Sequence, residues 1–403
     1  PMEYTEQYLE KKFRKKPQLI DANKKVLHDG YNYAGNIHAI ANTYTVQPAK
    51  CEKGIYRNIN GNQATAWGLL AAAEKSGRPL FCGSYPILEE LALRKDLNAK
   101  TLQCEDEIAG ICTAIGAAYA GNFAVTTTSG PGLSLKSEAL GLAMITELPL
   151  VIVDVQRSGP STGIPTKTEQ TDLNQALYGR NGECPIAVIA AHSPSHCFDA
   201  AFYAGKYAME HMMPVMLLTE GFLGNGSEPW RIPSMKDYPS VTPPVITEAE
   251  TPYWPYKRDE QRLARRWAFP GTPGLEHRIG GLEKDNNGNV SSDPIVHERM
   301  VKERADKVAK LAEFIPEQQV IGDDSGDVLI IGWGGTFGHL YTAVKQLQSE
   351  GKKVSLAHFD YIFPLPKNTA DIFSKFKKLI VCELNSGQFA DYLRARHQQF
   401  NYL

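Results

Sequence analysis

The feature that most constrains the fold is a regular alternation of short apolar runs and helical runs between residues 61 and 230. Apolar stretches of strand length occur at 79–82, 124–128, 148–155, 187–190 and 215–218. Helical patterns separate them at 64–75, 105–121, 133–144 and 197–212. Continuous apolar strands that alternate with helices are typical of a parallel sheet covered on both faces. We therefore predict an α/β domain over residues 61–230.

A second, smaller α/β domain is predicted over residues 325–403. Its strands fall at 327–333, 351–359 and 378–383, and its helices at 338–348 and 371–375. Residues 231–324 are rich in Pro, Gly, Asn and charges, and only 298–314 has helical periodicity, so this part is predicted to be an extended linker with one helix. Residues 1–60 contain short helical pieces and are predicted to form an N-terminal tail.

Composition excludes several classes of function. The chain is 42% hydrophobic and 22% charged with a formal net charge of −2, which gives no basis for binding nucleic acid. Its longest apolar stretches have the length of strands, well below the roughly 20 residues that cross a bilayer, so no membrane contact is predicted. The first residues lack an apolar signal core, which predicts a cytoplasmic protein. None of the seven cysteines forms a Cys-x-x-Cys pair, so any iron–sulfur cluster is expected on another chain.

Three acids, Glu105, Asp106 and Glu107, stand where a helix is predicted to begin. One interpretation is that they complement the positive end of the helix dipole, which is common and contributes up to about 1 kcal/mol. The other is functional, because the small residues interleaved along this helix let a flat ligand or another backbone approach closely. The residues by themselves leave both interpretations open.

Two loops come after predicted strands. Ser129-Gly130-Pro131-Gly132 is a tight turn before a helix, where backbone N–H groups can meet an anion, although glycine is also common in ordinary turns. The loop at 155–170 is dense in Gly, Pro, Ser and Thr, and its Arg157 and Lys167 could pair with a substrate carboxylate or be solvated surface charges. Ligands of parallel α/β proteins bind at the carboxyl ends of the strands, so both loops are candidate binding elements.

Two other patterns are assigned no chemistry. The loop at 332–338 joins a strand to a helix, but it lacks the G-x-G-x-x-G spacing of dinucleotide-binding loops. His192 and His196 are four residues apart, yet Pro194 between them argues against a helix that presents both to one metal ion. We interpret these histidines as ordinary surface or packing residues and predict no metal site in this chain.

Taken in order, the motifs resemble the alpha subunit of 2-oxoacid:ferredoxin oxidoreductases, specifically of the 2-oxoglutarate type. Residues 14–34 also resemble the end of the gamma domain that precedes alpha in fused members. The chain departs from the family pattern directly after residues 85–87, since Leu88 stands where Thr-Pro is usual, and the Thr that contacts substrate is not assigned. The matching motifs are Gly61-Asn62, Gly83-Ser84-Tyr85-Pro86-Ile87, Glu105-Asp106-Glu107-Ile108-Ala109, Thr127-Thr128-Ser129-Gly130-Pro131-Gly132, the segment 156–163 and Cys382-Glu383-Leu384-Asn385-Ser386-Gly387-Gln388.

The resemblance implies a thiamine diphosphate-binding domain of the pyrimidine type, followed by a domain similar to the C-terminal domain of transketolases. It implies that Glu107 activates the cofactor and that Arg157 binds the substrate carboxylate. The hydroxyl group of Thr166 and the cation of Lys167 would suit the second carboxylate of 2-oxoglutarate. The chain has no Gly-Asp-Gly motif, so a beta subunit is expected to bring the diphosphate site, Mg²⁺ and a [4Fe-4S] cluster to the shared cofactor. The expected cofactor-binding residues are Tyr85, Pro86, Ile87, Glu107, Ser129, Gly130, Pro131 and Gly132.

The activity implied by the resemblance is coenzyme A-dependent oxidative decarboxylation of 2-oxoglutarate to succinyl-CoA and CO₂, with reduction of ferredoxin. The expected assembly is a dimer of alpha–beta heterodimers. Alternatives are the same reaction on pyruvate or branched-chain 2-oxoacids, and a non-catalytic scaffold subunit. A self-contained enzyme similar to transketolase is disfavoured, because this sequence has no diphosphate-binding motif.

Overall fold

The computed structural model describes residues 2–38, 51–84, 89–249 and 251–403. The chain divides into two compact units, Pro1–Gly54 and Ile55–Leu403. The first contains helices α1 (Met2–Lys12) and α2 (Gln18–Asn36), neither of which buries a side chain. Polar contacts join them, since Lys24 Nζ lies 2.5 Å from Glu10 Oε1 and His28 Nε2 lies 2.8 Å from Glu6 Oε1.

The second unit alternates strands and helices through most of its length. Its strands are β1 (Tyr56–Asn60), β2 (Leu80–Ser84), β3 (Ala99–Gln103), β4 (Phe123–Thr128), β5 (Leu150–Gln156), β6 (Ala187–Ala190), β7 (Pro214–Glu220), β8 (Ser227–Arg231), β9 (Gly326–Trp333), β10 (Val354–Phe359), β11 (Tyr361–Phe363) and β12 (Phe376–Val381). Its helices are α3 (Gly61–Ser76), α4 (Glu89–Ala92), α5 (Glu107–Tyr119), α6 (Gly130–Thr146), α7 (Leu173–Tyr178), α8 (His196–His211), α9 (Gly221–Asn225), α10 (Pro294–Lys310), α11 (Phe337–Ser349), α12 (Thr369–Ser374) and α13 (Gln388–Arg396).

A seven-stranded sheet forms the centre of this unit, with strand order β11-β6-β7-β5-β4-β2-β3. All neighbouring pairs are parallel except β11 with β6. A parallel three-stranded sheet, β10-β9-β12, is built from the C-terminal part of the chain. The predicted α/β fold class, with a large and a small parallel sheet, is confirmed.

Two apolar cores lie on opposite faces of the central sheet. Helices α3 and α8 pack together over one face, and α5 and α6 pack over the other. Aromatic side chains of the small sheet, Trp333 and Phe359, belong to the second core, so the two sheets share apolar packing. Because strands such as β4 and β7 are buried along almost their whole length, their continuous apolar runs were visible in the sequence.

Buried ion pairs attach residues 231–324, which connect the two sheets, to the main α/β body. Glu147, at the C-terminus of α6, accepts a hydrogen bond of 3.1 Å from Arg258 Nε and pairs with Lys307 of α10. Burial would raise the pKa of Glu147, but Lys307 and Arg258 hold it at about 2. Removing one partner of such a buried ion pair costs on the order of 3–5 kcal/mol, so this segment is anchored to the main α/β body.

Eight of these elements are absent from the sequence prediction: β1, β3, β8, β11, α4, α7, α9 and α13. β1 and β3 each expose most of their side chains, so neither presents an apolar run. β11 has only three residues, and it is defined by its antiparallel pairing with β6. Among the described residues, no helix combines the length and apolar character required to span a membrane.

Candidate active site

The candidate residues gather at one edge of the central sheet. Strands β4, β5 and β7 run parallel and end at Thr128, Gln156 and Glu220, so their carboxyl ends lie side by side. Helix α5 begins after β3, which is parallel to the same strands. This edge is where open α/β sheets place their ligands. It carries the start of α5, the Ser129–Gly132 turn and the loop after β5.

Glu107 is the first residue of α5 and is half-buried. The N-cap is the preceding residue, Asp106, whose carboxylate accepts a hydrogen bond of 2.7 Å from the backbone N–H of Ala109. No described residue donates a hydrogen bond to the Glu107 carboxylate. Asp106 therefore satisfies the helix end, and the Glu107 side chain is left available for a ligand.

The turn after β4 lies directly against Glu107. A Cβ atom at position 132 would lie 2.3 Å from Oγ1 of Thr128 and 2.7 Å from Cγ of Glu107. Only glycine fits this approach, because real Cβ atoms do not come so close to other atoms. The Ser129–Gly132 turn and Glu107 thus form one surface, although 25 positions of sequence separate Glu107 from Gly132.

Lys136 supports this surface from the interior and was not singled out from the sequence. Its side chain is fully buried, and Nζ donates hydrogen bonds to the carbonyl oxygen of Glu107 at 2.8 Å and to Oγ1 of Thr126 at 3.0 Å. Burial lowers the pKa of Lys136 to about 8, against an opposing effect of the Glu107 charge. A lysine within the apolar helical pattern 133–144 was the signal that could have identified it.

The loop after β5 folds back on itself. Backbone N–H groups of Ser158 and Ile164 bond to Lys167 O and Ser158 O at 3.0 and 3.2 Å. Arg157 is half-buried, and its Nε is buried without a hydrogen-bond partner, which suits an incoming anion. Thr166 adopts φ of 70°. The side chains of Thr166 and Lys167 are exposed and bond to no described residue.

Two buried carboxyl groups, Asp154 of β5 and Asp172, face each other beneath the turn. Neither oxygen of Asp154 has a hydrogen-bond partner among the described residues, and neither does Oδ2 of Asp172. Burial and the neighbouring Asp172 raise the pKa of Asp154 well above its usual range. Asp172 also lies against the turn, since a Cβ atom at Gly130 would be 2.5 Å from its Oδ1. Neither residue was identified as a candidate from the sequence.

The C-terminal Cys382–Gln388 motif holds the same loop from the small sheet. The side chain of Gln170 donates to Trp333 O at 2.8 Å and accepts from the backbone N–H of Leu384 at 2.9 Å. Asn385 donates to Gln170 O at 2.8 Å, and Gln388 donates to Thr171 O at 3.0 Å. The motif therefore has a definite structural task, which is to fix the end of the loop that begins with Arg157.

The structure brings together only part of the predicted site. Glu107 meets Gly132, and the other turn residues Ser129, Gly130 and Pro131 form the adjoining start of α6. Thr166 and Lys167 lie on the exposed part of the loop, and their side chains contribute no described bond to this cluster. Tyr85, Pro86 and Ile87 lie outside the described residues.

Comparison with known proteins gives a consistent result. The family described as pyruvate flavodoxin/ferredoxin oxidoreductase, thiamine diphosphate-binding, matches residues 84–293. The 2-oxoglutarate oxidoreductase subunit KorA of Mycobacterium tuberculosis is 47% identical over 98% of this chain, which spans 61% of that relative's length. The 2-oxoglutarate synthase subunit KorA of Methanothermobacter marburgensis is 34% identical, with 82% of this chain and 88% of the relative covered.

A solved structure is also similar over almost the whole chain. It is the 2-oxoglutarate:ferredoxin oxidoreductase from Magnetococcus marinus with 2-oxoglutarate, coenzyme A and succinyl-CoA bound. It has a TM-score of 0.84 and 32% sequence identity, and the match covers 97% of this chain and 68% of that one. The chain therefore belongs to the thiamine diphosphate-binding pyruvate flavodoxin/ferredoxin oxidoreductase family, within which it is similar to KorA subunits and to an alpha subunit of a 2-oxoacid:ferredoxin oxidoreductase.

Proposed function

We propose that this chain is the alpha subunit of a 2-oxoglutarate:ferredoxin oxidoreductase. The reaction is the coenzyme A-dependent oxidative decarboxylation of 2-oxoglutarate to succinyl-CoA and CO₂, with reduction of ferredoxin. The observation that carries the proposal is the Glu107 carboxylate, which lies against Gly132 at the ligand-binding edge of the sheet and accepts no hydrogen bond from a described residue. The names of the relatives and the ligands of the Magnetococcus marinus enzyme support the choice of 2-oxoglutarate.

The described residues fit thiamine diphosphate as the shared cofactor. Glycines at 130 and 132 let the turn pack closely against Asp172 and Glu107, and the free carboxylate of Glu107 stands beside it. Glu107 is assigned to hydrogen-bond the pyrimidine ring and hold a proton there, and Ser129–Gly132 are assigned to line the ring. Thiamine diphosphate, when bound, supplies the nucleophilic carbon and the electron sink for decarboxylation.

Arg157 is assigned to bind the carboxylate of the substrate. Its guanidinium lies after β5 at the same edge, and its buried Nε needs an acceptor. Thr166 and Lys167 are assigned to the second carboxylate that distinguishes 2-oxoglutarate from pyruvate. Their exposed side chains have no described bond to break before they contact a ligand.

The remaining machinery is assigned to other components. The sequence contains no Gly-Asp-Gly motif and no Cys-x-x-Cys pair, so a beta subunit is proposed to supply the diphosphate site, Mg²⁺ and the [4Fe-4S] cluster. The assembly is a dimer of alpha–beta heterodimers in the cytoplasm, with ferredoxin and coenzyme A as reaction partners. Residues 61–230 form its pyrimidine domain, 325–403 its transketolase-like domain, 231–324 the linker and 1–60 the end of a gamma domain.

The test uses the complex of this chain with its beta subunit. Viologen reduction is followed with 2-oxoglutarate or pyruvate in the presence of coenzyme A. We expect Glu107→Gln to lower turnover by about 10²- to 10⁴-fold, the usual contribution of a positioned acid–base group. Glu105→Gln is the matched control, because this neighbouring acid is exposed at the same helix start, and it should retain activity.

Two outcomes would overturn the proposal. Full turnover of Glu107→Gln would indicate that the chain is a scaffold and that its carboxylate takes no part in the chemistry. Turnover of pyruvate tenfold or more above that of 2-oxoglutarate would refute the substrate assignment and leave the reaction class standing.

A further inference from the structure

Three side chains that could bind a metal converge beside β6, and none of them belongs to the proposed thiamine site. His192 lies just after the carboxyl end of β6, His358 lies near the end of β10, and Asp360 stands between β10 and β11. The backbone N–H of Ala190 donates to Asp360 O at 2.8 Å. Because β11 pairs antiparallel with β6, this connection returns Asp360 to the side of His192.

His358 is the observation that points to a missing ligand. Only 8% of its surface is exposed, and neither ring nitrogen has a hydrogen-bond partner among the described residues. A buried polar group left unpaired costs on the order of 1–3 kcal/mol. Such a group in a native structure calls for a water molecule or an ion.

The geometry of the three residues suits an ion. One nitrogen or oxygen atom from each of His192, His358 and Asp360 lies within 4.8 Å of the others. The separation of His192 Nδ1 and Asp360 Oδ1 is 2.7 Å. This is a hydrogen-bonding distance. Ligands bound tetrahedrally at about 2.1 Å lie about 3.4 Å apart, so the two atoms would have to separate by less than about 1 Å for one ion to replace the shared proton.

His196 has a supporting position. Its ring stacks on that of His192 with 3.7 Å between centroids and 16° between planes, so the two rings cannot both point at one ion. Its Nδ1 lies 3.3 Å from the backbone nitrogen of His192, and its Nε2 lies 3.6 Å from the second oxygen of Asp360. His196 therefore accepts a hydrogen bond from the backbone of His192 and lies beside the carboxylate of Asp360. Residues around metal ligands commonly have such supporting contacts.

A cavity of 340 Å³ gives access to the cluster. His192, His358 and Asp360 all line it, together with Phe337 and the exposed Glu317. An ion held by three protein ligands would have an open coordination position on this side.

We propose that His192, His358 and Asp360 bind a divalent transition-metal ion. Zn²⁺ is the ion used to test the site. Two imidazoles and one carboxylate form a ligand set for such ions, and Mg²⁺ prefers sites with oxygen ligands alone. The site joins the end of β6 to the β10–β11 connection. Its ion would tie the small sheet to the central sheet.

The test compares the alpha–beta complex carrying the wild-type chain with complexes carrying Asp360→Asn or His192→Gln. Each is depleted of loosely bound metal with a chelator and titrated with Zn²⁺, and bound zinc is counted by elemental analysis. Because the beta subunit is the same in all samples, the difference between wild type and variant reports this site. We expect one zinc ion fewer per alpha chain, or an affinity at least tenfold lower, in both variants.

His339→Ala is the matched control, because this exposed histidine lies outside the cluster and should leave zinc binding unchanged. Zinc should raise the melting temperature of the wild-type complex but not that of Asp360→Asn, and a millimolar concentration of Mg²⁺ should not displace it. Equal zinc content in wild type and both variants, with circular dichroism confirming that all are folded, would refute the proposal. Displacement by Mg²⁺ would refute the transition-metal assignment.

Discussion

At the scale of single residues, the Asp154–Asp172 pair has the clearest consequence. Three of its four carboxyl oxygens accept no hydrogen bond from any N–H or hydroxyl group of the described residues, and the two groups face each other in the interior. Burial raises the pKa of both groups, and the charge of Asp172 raises that of Asp154 further, so we expect the folded pair to hold one proton between them. Asp172 lies against Gly130, so the protonation of the pair affects the packing of the turn beside Glu107.

This arrangement predicts that Asp154→Asn is tolerated and Asp154→Ala is not. The amide of Asn donates to Asp172 as the protonated acid does, whereas Ala leaves a buried carboxylate without a donor at a cost of roughly 1–3 kcal/mol. The folded-state pKa of Asp154 is raised, so wild-type stability falls as pH rises above the unfolded value of 3.8. Asp154→Asn should lack this fall. Thermal denaturation at pH 5 and pH 8 measures this fall in stability. An equal loss of stability in Asp154→Asn and Asp154→Ala would contradict the shared proton.

At the scale of elements, the close contact between the β4–α6 turn and the start of α5 positions the candidate active site. Gly132→Ala would place a methyl group 2.7 Å from Cγ of Glu107, so that the turn or the carboxylate must move. Displacements of about 1 Å can cost a hundredfold in rate. We expect Gly132→Ala to reduce viologen-linked turnover by about that factor.

Gly116→Ala is the matched control for this prediction. Gly116 lies on the exposed side of α5, and a Cβ atom there would meet nothing within 4 Å. Alanine at such a helical position stabilises by roughly 0.5–1 kcal/mol, so activity should persist and the melting temperature should not fall. A Gly132→Ala complex as active as Gly116→Ala would show that the turn does not position Glu107.

At the scale of the whole molecule, Glu220 lies where the two sheets meet. It ends β7, its carboxyl is buried against Gly335 after β9, and neither oxygen has a partner among the described residues. Burial raises the pKa of Glu220 to about 7 from a usual value of 4.5. Between these values the unfolded chain releases its proton and the folded chain keeps it, so stability falls as pH rises, by about 3 kcal/mol in total.

Glu220→Gln should remove this part of the pH dependence. The variant should be more stable than wild type above pH 7 and close to wild type near pH 4.5, as measured by denaturant unfolding across that range. Glu276→Gln, at an exposed position, is the control and should follow the wild-type curve. A Glu220→Gln curve parallel to that of wild type would contradict the buried protonated state.

The sequence predicted most of the fold and only part of the candidate site. The alternation of apolar runs and helical segments located α6 and β5 to within a few residues, because a central strand buried on both faces appears in the sequence as a continuous apolar run. It failed for β3, which exposes four of its five residues. Among the site residues, Glu107 and the Ser129–Gly132 turn came from motifs, whereas Lys136 and the Asp154–Asp172 pair came only from the structure.

By itself, the sequence determined the α/β class, the parallel strands and the family, because these depend on apolar periodicity and on motifs contiguous in the chain. Tertiary structure alone decided which polar groups share a buried environment. Gln170 meets Trp333 across 163 residues, and His192 meets Asp360 across 168. Such pairs result from strand order and from the antiparallel return of β11, and no local pattern encodes them. For that reason His192, interpreted from sequence as an ordinary packing residue, becomes a candidate metal ligand once the chain is folded.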